Sequence, residues 1–545
     1  MKQNLSIIII HWNTPDLLKK QLFLLKKNNN LQIIIIDNAS EKPLNWLSKD
    51  FPKIQLVQNK FNRGYAFACN QGVVKTVGEP ARHASQDEAG GWLLFLNSDI
   101  EIKPKQITDL INYAEKNSLD ACSVKTNVFY QKPLPSLFSL LIEFTPINRL
   151  IGVGIFPIKT LFGGCLLIKT EVLKSLGGWD ERFFLWFEDS DLTCKLIQNK
   201  NKIGWLNLPI KHKGGESFKK LETQLKKDIF FHSMDIFAKK HFSFFGRLII
   251  SLLKKMYTAR KLLPELQNIT SITIPNLKKN LLQSFLKNNE KCLNSTLNST
   301  PGVEWTVVTN SIKSASVWDW RKRYPDVRFI PIDKNKGFAS TVNIGFRVAS
   351  GKWIGTINDD VILTKNWLKN ILSCVDELTG SINSVIEKDD GEIESMGIKL
   401  LAKGRAEPIT GYLSNNGRAV QVPKKCYEVD ATNAAAVIYS KAALNKVGLF
   451  DEKFGSYLED IDLSLRLKKA RYKNIVSFKS RVIHVGQSTS RNLGWKKEYY
   501  DFRNWILVII KNWSLSEFVI NFPAIFMERL RNLSGIIKNV FHFEL

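Results

Sequence analysis

Two short stretches of the chain concentrate acidic residues in one pattern, FEDSD at 187–191 and LEDID at 458–462. Each stretch puts three carboxylates within four positions at the predicted start of a helix, whose positive end offsets part of their repulsion. Apolar residues surround the first stretch (FFLWFEDSDL), which disfavours an ordinary solvated helix end. Carboxylates held in such surroundings are expected near a metal ion or where a general base is needed. The predicted catalytic residues are Glu188, Asp189, Asp191, Glu459, Asp460 and Asp462.

Two further motifs carry candidate metal ligands, NSD at 97–99 and NDD at 358–360. Both follow apolar runs, and a carboxylate at a strand end suits a divalent cation that bridges diphosphate oxygens. A single Asp there is more often a turn or a helix cap, but this one recurs. A histidine follows each acidic stretch, and an imidazole ligand favours Mn²⁺ relative to an all-oxygen site. The predicted metal ligands are Asp99, His212, Asp359, Asp360 and His484.

These motifs are parts of an internal repeat. NRGYAFACNQG at 62–72 matches NKGFASTVNIG at 335–345, and the strand-end, acidic and histidine motifs recur in the same order. Four motifs at nearly one offset indicate two copies of one structural unit. The length of 545 residues also suits two domains of about 250 residues each. We predict domains at 1–265 and 266–545.

The elements that must position these residues alternate between strands and helices. Short β-branched or apolar runs at 6–10, 33–36, 54–57 and 92–96 predict buried strands. Thr14 and Pro15 predict a helix start, with Leu18, Leu22 and Leu25 on its buried face. The pattern predicts an α/β class with a mostly parallel sheet and flanking helices in each copy.

The second copy begins less regularly. It is expected to contain strands at 271–276 and 305–310 and a helix at 277–286. Stretches 79–91 and 294–300 are polar and are predicted to be loops.

Composition limits the class of partner. The formal charge is +27, and residues 211–261 hold 13 Lys and Arg against 4 Asp and Glu among Phe and Leu clusters. This mixture predicts basic helical tails at 217–263 and 491–545 on an anionic membrane surface, with a solvated Lys-rich face as the alternative. No nucleic-acid-binding motif is present, so nucleic acid is not an expected partner.

Cysteine usage and hydropathy bear on the compartment. Seven cysteines without a CxxC pair argue against a disulfide framework and fit a reducing cytoplasm. No apolar stretch approaches the roughly 18 residues that span a bilayer. We expect a cytoplasmic protein, peripheral on the inner face of the plasma membrane.

Polar residues at the predicted strand ends complete a candidate ligand site, because ligands of open α/β sheets bind beyond the carboxyl ends of the strands. HWNT follows the first strand and DNAS the second, with Asp37 and Asn38 placed to accept hydrogen bonds from a base or ribose. The candidate ligand-binding residues are Asn13, Asp37, Asn38, Asn62, Gly64, Asn97, Asn335, Gly337 and Asn358, and the family resemblance given next implies that their ligand is a nucleotide sugar.

Taken together, DNAS, NRGYAFACNQG, FLNSD, GGWDERFFLWFEDSDL and HKGGES resemble the motif set of glycosyltransferase family 2 proteins of GT-A fold. The similarity is greatest to the rhamnosyltransferase-like, O-antigen-type branch, and it covers most of both halves. The resemblance implies that Asp37 contacts the nucleotide, Asp99 binds the metal and His212 assists the metal–diphosphate. It also implies that Asp189 is the base, with Asp360, Asp460 and His484 at the matching positions of copy two.

The resemblance further implies inverting transfer of sugars from UDP- or dTDP-sugars, with rhamnose as the family-weighted guess and Mn²⁺ or Mg²⁺ as cofactor. A polyprenyl-diphosphate-linked or glycan acceptor is expected, in cell-surface glycan synthesis. Copy two departs from the pattern, because Thr309 stands where copy one has Asp37. A non-catalytic sugar-binding or scaffolding role for copy two is therefore the alternative to a bifunctional enzyme. A nucleotidyltransferase is disfavoured, since HWNTPD is not a glycine-rich basic loop.

Overall fold

The computed structural model describes most of the chain in fifteen stretches. These are residues 5–26, 31–76, 91–125, 132–143, 159–213, 221–258, 262–265, 267–276, 279–297, 302–310, 314–332, 334–401, 404–410, 426–485 and 495–542. By its internal contacts the chain divides into two compact units, one of 1–264 with 313–330 and one of 265–312 with 331–545.

The first four strands of the first unit coincide with the predicted apolar runs, and five further strands follow them in the described part of the unit. In chain order they are β1 (Leu5–His11), β2 (Gln32–Asp37), β3 (Gln55–Gln58), β4 (Trp92–Asn97), β5 (Ile100–Glu101), β6 (Ala121–Val124), β7 (Cys165–Lys169), β8 (Ile203–Leu206) and β9 (Lys211–His212). The main sheet has the order β3-β2-β1-β4-β7-β6-β8. Strands β1 to β4 pair in parallel, whereas β7 is antiparallel to both of its neighbours.

Helices cover the connections between these strands. They are α1 (Pro15–Leu25), α2 (Leu47–Asp50), α3 (Tyr65–Thr76), α4 (Pro104–Lys116), α5 (Leu137–Glu143), α6 (Thr170–Ser175), α7 (Glu188–Gln198), α8 (Thr223–His241) and α9 (Phe244–Tyr257). Helix α1 begins at the predicted position, and Leu18, Leu22 and Leu25 are buried as the spacing predicts.

The later part of the chain has corresponding strands. They are β10 (Gln267–Asn276), β11 (Val303–Asn310), β12 (Val327–Ile332), β13 (Gly351–Ile357), β14 (Val361–Leu363), β15 (Thr379–Lys388), β16 (Ile393–Ser395), β17 (Ile398–Leu401), β18 (Arg405–Pro408), β19 (Cys426–Glu428), β20 (Ala436–Ser440) and β21 (Lys473–His484). The main path of the sheet is β12-β11-β10-β13-β20-β15-β21-β14. Its first seven strands have the order of the first sheet, so the sequence repeat is also a repeat of topology.

The helices of the second copy mostly have a counterpart in the first. They are α10 (Lys279–Asn288), α11 (Glu290–Leu297), α12 (Trp318–Arg323), α13 (Phe338–Val348), α14 (Trp367–Leu372), α15 (Lys441–Val447), α16 (Glu459–Lys469), α17 (Trp495–Asn512) and α18 (Leu515–His542), with short 3₁₀ turns at Ser314–Val317 and Glu452–Phe454.

A close helix–strand contact explains one repeated glycine. A Cβ on Gly72 in α3 would lie 2.3 Å from Cγ2 of Ile8 on β1. A Cβ on Gly345 in α13 would lie 2.2 Å from Oγ1 of Thr273 on β10. Gly72 and Gly345 are the last residues of the repeated motifs at 62–72 and 335–345. Each glycine therefore lets its helix pack directly on the first strand of its sheet.

The predicted fold class, two α/β units with mainly parallel sheets and helical C-terminal extensions, is confirmed. The predicted loop at 294–300 is wrong over its first four residues, because α11 continues to Leu297. The predicted loop at 79–91 lies outside the described residues except for Gly91. Independent folding of 1–265 and 266–545 stays a prediction. No described helix is both long and apolar enough to cross a membrane.

The cysteine pattern argues against a disulfide framework, but among the described residues the structure has one disulfide. Cys374 follows α14 and Cys426 begins β19, and the two are joined with their Cα atoms 5.9 Å apart. The two cysteines are 52 residues apart in the sequence, and the pairing of β19 with β21 brings them close together. The sequence pattern therefore did not indicate this bond.

This bond predicts a thiol count. In denaturant without reductant we expect five reactive thiols per chain from the seven cysteines, and seven after reduction, by titration with a chromogenic disulfide reagent. A double variant, Cys374→Ser with Cys426→Ser, should give five under both conditions and lose about 2–4 kcal/mol of unfolding free energy. Seven thiols in the unreduced wild-type protein would contradict the bond.

Candidate active site

Both acidic motifs lie at the first turn of a buried helix. Helix α7 begins at Glu188 and α16 at Glu459. In each copy the two preceding residues have left-handed backbone angles: φ is 65° and 67° at Trp186 and Phe187, and 71° and 65° at Tyr457 and Leu458. Residues with a Cβ seldom adopt this conformation. Both copies have this conformation directly before the acidic residues, so the turn is a shared feature that sets the position of those residues.

The central aspartate of each motif is held by backbone amides. Asp189 Oδ1 accepts a hydrogen bond of 2.7 Å from the amide of Ser190, and its carboxylate also accepts one from the amide of Gly163. Asp460 accepts from the amides of Ile461 at 2.9 Å and Ala434 at 3.2 Å. Burial raises the pKa of both carboxyls and these hydrogen bonds lower it, with a net rise. A raised pKa suits a carboxylate that must accept a proton near neutral pH.

The preceding glutamates are buried beside these aspartates. Burial raises the pKa of the Glu188 carboxyl to about 8, and Asp189 adds to the shift. Burial and Asp460 raise the pKa of Glu459 well above its usual value. The Oε2 atoms of both glutamates have no hydrogen-bond partner among the described residues. A proton held on the glutamate removes the like-charge repulsion on the aspartate beside it.

Each strand-end aspartate meets the predicted histidine. In the first unit β5 pairs with β9, and His212 Nε2 lies 3.4 Å from Asp99 Oδ2. In the second unit β14 pairs with β21, and His484 Nε2 lies 3.1 Å from Asp360 Oδ1. Asp359, the residue before Asp360, contacts a different side chain. Its Oδ2 accepts a 2.7 Å hydrogen bond from Asn276.

The second pair has a further acidic contact that the sequence motifs do not predict. His484 Nδ1 lies 2.8 Å from Oε2 of Glu394 on β16. Burial alone would lower the pKa of His484, but Asp360 and Glu394 raise it to about 10. A carboxylate on the outer nitrogen orients an imidazole toward a metal position.

The donor atoms fit a divalent cation that is shared with a ligand. Each unit brings one carboxylate oxygen and one imidazole nitrogen together, a set that suits Mn²⁺. Among the described residues no group of three or more His, Cys, Asp or Glu side chains could enclose a metal ion. The remaining ligands would have to be water or diphosphate oxygens, as in sites that bind metal together with substrate.

The first two strands of each sheet end in different residues in the two units. His11 on β1 is in register with Asp37 on β2, and Asn276 on β10 is in register with Thr309 on β11. Thr309 therefore takes the place of Asp37, as the motif comparison predicts. Burial lowers the pKa of His11 to about 4 although Asp37 opposes the shift, so the imidazole is neutral. The sequence did not single out His11, since a histidine at a strand end is usually structural.

Several residues predicted to bind the nucleotide form hydrogen bonds that hold the loop between β3 and α3. Asn38 Nδ2 donates to Asn62 Oδ1 at 2.8 Å, and the amide of Gly64 donates to the same oxygen at 3.0 Å. The backbone of Gly64 has φ 88°, and a Cβ there would lie 2.6 Å from the carbonyl oxygen of Phe184.

The second copy repeats this arrangement. The amide of Gly337 donates to Asn335 Oδ1 at 2.9 Å, and a Cβ on Gly337 would lie 2.8 Å from the carbonyl oxygen of Gly455. In both units the loop thus packs on the turn that precedes the acidic helix, and ligand contacts by these residues stay predictions.

The other predicted binding residues retain polar groups at the strand ends. Asn97 and Asn358 each have a buried Oδ1 without a hydrogen-bond partner among the described residues. Asn13 Oδ1 accepts from the amide of Glu41 at 2.8 Å. Asn13 also lines a cavity of about 250 Å³ between the start of α1 and the loop after β2, with Ser40 and Lys42.

The last aspartate of each acidic motif contacts a later helix. The side chains of Asp191 and Asp462 are 1% and 0% exposed, and both contact a lysine on a later helix. Their predicted catalytic role stays a prediction.

The sequence matches known proteins over both copies. A model described as glycosyl transferase family 2 matches residues 6–177 and 284–414, more than half of the chain, and confirms the predicted resemblance. The "N-acetylglucosaminyl-diphospho-decaprenol L-rhamnosyltransferase" of Mycobacterium tuberculosis is 26% identical over 202 residues, 33% of this chain and 63% of that protein.

A second curated relative and a solved structure also match the chain. The "Low-salt glycan biosynthesis hexosyltransferase Agl10" of Haloferax volcanii is 24% identical over 37% of this chain and 65% of its own length. The chain thus spans slightly less than two thirds of these curated relatives. A structure of GalNAc-T7 with UDP, GalNAc and Mn²⁺ aligns at 14% identity and a TM-score of 0.35, covering 45% of this chain and 48% of that one.

Burial of Glu188 predicts a pH-dependent stability change. Its pKa in the folded chain, about 8, lies above the usual 4.5, so folding favours the protonated form. The stability that this group contributes is present below pH 4.5 and is lost as the pH rises toward about 8. Glu188→Gln should therefore raise the thermal unfolding midpoint above pH 8 and change it little at pH 5. Glu171→Gln, on an exposed side chain of α6, should be neutral at both. A destabilised Glu188→Gln variant at pH 8.5 would contradict this protonation state.

Proposed function

Because the chain belongs to glycosyl transferase family 2, we propose that it transfers sugars from nucleotide-sugar donors to a lipid-linked or polysaccharide acceptor in cell-surface glycan synthesis. The strongest support is the buried aspartate with a raised pKa, Asp189 or Asp460, which occurs in both units behind the same unusual turn. Each unit also carries its own carboxylate–imidazole pair.

The proposed reaction is an inverting single displacement. Asp189 accepts the proton of the acceptor hydroxyl as that oxygen attacks the anomeric carbon and the bond to the diphosphate breaks. Asp460 does the same in the second unit. A bound Mn²⁺ or Mg²⁺ would stabilise the charge of the departing diphosphate, with Asp99 and His212 or Asp360 and His484 as its protein ligands. No covalent intermediate is needed.

Glu188 keeps its proton in this scheme and so leaves the neighbouring Asp189 free to act. Asp37 contacts the nucleotide beside the neutral imidazole of His11. In the second unit Asn276 and Thr309 offer uncharged groups at those positions. The two units are therefore proposed to differ in nucleotide or in affinity for it.

The activities named for the curated relatives suggest the substrate class. A rhamnosyl donor such as dTDP-rhamnose, or a UDP-sugar, and a polyprenyl-diphosphate-linked acceptor are proposed on this ground. The work of such an enzyme would be done in the cytoplasm, on the inner face of the plasma membrane.

The alternative keeps transfer in the first unit only and makes the second a sugar-binding or scaffolding module. Thr309 favours this alternative. The retained Glu459–Asp460 pair and the Asp360–His484 contact favour a bifunctional enzyme, because a binding module would need neither a base nor a metal ligand.

Paired substitutions test the assignment. Asp189→Asn and Asp460→Asn keep the size of the side chain and remove the base, so each should lower kcat for one donor by about 10²–10⁴-fold. The measurement is release of nucleoside diphosphate from dTDP-rhamnose and a panel of UDP-sugars with Mn²⁺ and a polyprenyl-linked acceptor extract. Glu188→Gln, which mimics the protonated state, should retain activity within about tenfold at pH 7.

The outcomes separate the alternatives. Loss of a different donor activity in each variant supports two active units, and loss only in Asp189→Asn supports the scaffolding role of the second unit. Retention of all activity in both variants would contradict the choice of base.

The final helix of each unit presents an apolar face that suits a membrane. On α9 the exposed residues are Phe244, Phe245, Leu248, Leu252 and Met256, and the helix has Arg247, Lys254 and Lys255 but no acidic residue. On α18 the exposed apolar residues are Leu515, Val519, Ile520, Phe522, Phe526, Met527, Leu530, Leu533 and Ile537. We propose an anionic bilayer as the occupant, since the whole chain carries a net charge of +27.

Vesicle sedimentation tests this surface. The protein should sediment with phosphatidylglycerol vesicles at low salt, less in 0.5 M salt and less with phosphatidylcholine alone. Phe245→Asp with Met256→Asp should lower bound protein several-fold, whereas Phe23→Asp, on an exposed ring of α1, should not. Equal binding to both vesicle types would contradict charge recognition, and unchanged binding of the double variant would contradict the role of α9.

A further inference from the structure

The last aspartate of the acidic motif in the first unit binds a later helix. Asp191 is 1% exposed, and Lys240 at the end of α8 forms an ion pair with its Oδ1. His241 Nε2 lies 2.8 Å from the same oxygen, and Lys195 lies 3.5 Å from Oδ2. Burial by itself raises the pKa of Asp191, but Lys195 and Lys240 outweigh it and hold the pKa below its usual value. The carboxylate is therefore ionised and engaged by α8.

The second unit builds the same contact from different residues. Asp462 is fully buried, and Lys511 at the end of α17 lies 2.8 Å from its Oδ1. Asn512 donates to that oxygen at 2.9 Å, and Arg466 lies 2.8 Å from Oδ2. Each of these residues lies 271 positions after its counterpart. The lysine is unchanged, while His241 is replaced by Asn512 and Lys195 by Arg466.

Each of these lysines also joins a second aspartate. Lys240 Nζ lies 2.6 Å from Asp180 Oδ2, and Lys511 Nζ lies 2.8 Å from Asp451 Oδ2. Asp180 and Asp451 belong to the GGWDE and GLFDE segments that precede the acidic motifs. One ammonium group thus connects the start and the end of the segment that carries the base.

The same helices also hold the left-handed turn. Ser233 on α8 donates to the carbonyl oxygen of Leu185 at 2.7 Å. Asn504 on α17 donates to the carbonyl oxygens of Ser456 at 2.9 Å and Tyr457 at 2.8 Å. Leu185 and Ser456 are equivalent residues immediately before the two left-handed positions, so the helix fixes a backbone conformation that the turn would rarely adopt alone.

We infer that Lys240 and Ser233, and equally Lys511 and Asn504, are positioning residues that fix the base-bearing helix through Asp191 and Asp462. The inference rests on the proposed roles of Asp189 and Asp460 as bases. It assigns these four side chains of α8 and α17 a supporting role for the base, and it gives a reason why the last carboxylate of the motif recurs in both copies. Purely structural anchoring would lower stability without changing turnover of the folded protein.

The test compares Lys240→Met with Lys239→Met in the full-length chain. Lys239 is the adjacent residue and pairs on the surface with Asp235. We expect Lys240→Met to lower kcat about 10–100-fold for the donor that Asp189→Asn abolishes, because small misplacements of a reacting group cost this much. Binding of dTDP or UDP with Mn²⁺, measured by calorimetry, should change less than about threefold, since the strand ends are untouched. Lys239→Met should match the wild-type protein in both measurements.

Two further substitutions test these contacts. One introduces the residue that the second unit has, and the other restores the positive charge. His241→Asn installs the residue of the second unit and should keep kcat near wild type, and Lys240→Arg should recover part of the loss. If Lys240→Met does not fold, Ser233→Ala removes one hydrogen bond to the turn and should lower kcat by a smaller factor. Lys511→Met is the matching variant for the second donor.

The results distinguish this inference from the proposed function. Loss of turnover in Asp189→Asn together with wild-type kcat in folded Lys240→Met, or in Ser233→Ala if Lys240→Met does not fold, overturns the positioning role and leaves the function intact. Wild-type turnover in Asp189→Asn overturns the base and this inference with it. A loss of kcat in Lys240→Met that Lys240→Arg partly restores, with nucleotide binding unchanged, supports the inference.

Discussion

The proposed reaction depends on a carboxylate, Asp189 or Asp460, that is buried at the start of a helix and must still accept a proton. Burial raises the pKa of Asp189 and Asp460, and hydrogen bonds from backbone amides lower it in part. The left-handed turn lies directly before the helix that carries each aspartate, and the glycine loop packs against this turn. A single requirement, an aspartate that is buried and still basic, thus links residues that are far apart in the sequence.

The excess positive charge of the chain is used in two ways. Part of it is internal: Lys240 and Lys511 form ion pairs with the buried carboxylates of Asp191 and Asp462, and removing one partner of a buried ion pair costs several kcal/mol. Another part is exposed on the final helices beside apolar residues, as on α9. The composition revealed the excess, but only the contacts separate the lysines that hold the fold from those that face outward.

Much of the fold and of the site could be read from periodicity and repetition. The strand runs, the start of α1 and the pairing of each strand-end aspartate with a later histidine follow from local patterns that recur. Contacts between residues about 50 positions apart could not be predicted, as with Lys240 and Asp191 or Cys374 and Cys426. The second carboxylate on His484, from Glu394, was missed because β16 carries no repeated motif.

The claim that most of this account depends on is that one chain contains two complete sites. Equilibrium binding of dTDP and UDP in the presence of Mn²⁺ tests it directly, with the number of sites per chain as the readout. We expect two sites, one removed by Asp99→Asn with His212→Ala and the other by Asp360→Asn with His484→Ala. A single site that the second pair of substitutions leaves unchanged would contradict the account and make the second unit a module without donor binding.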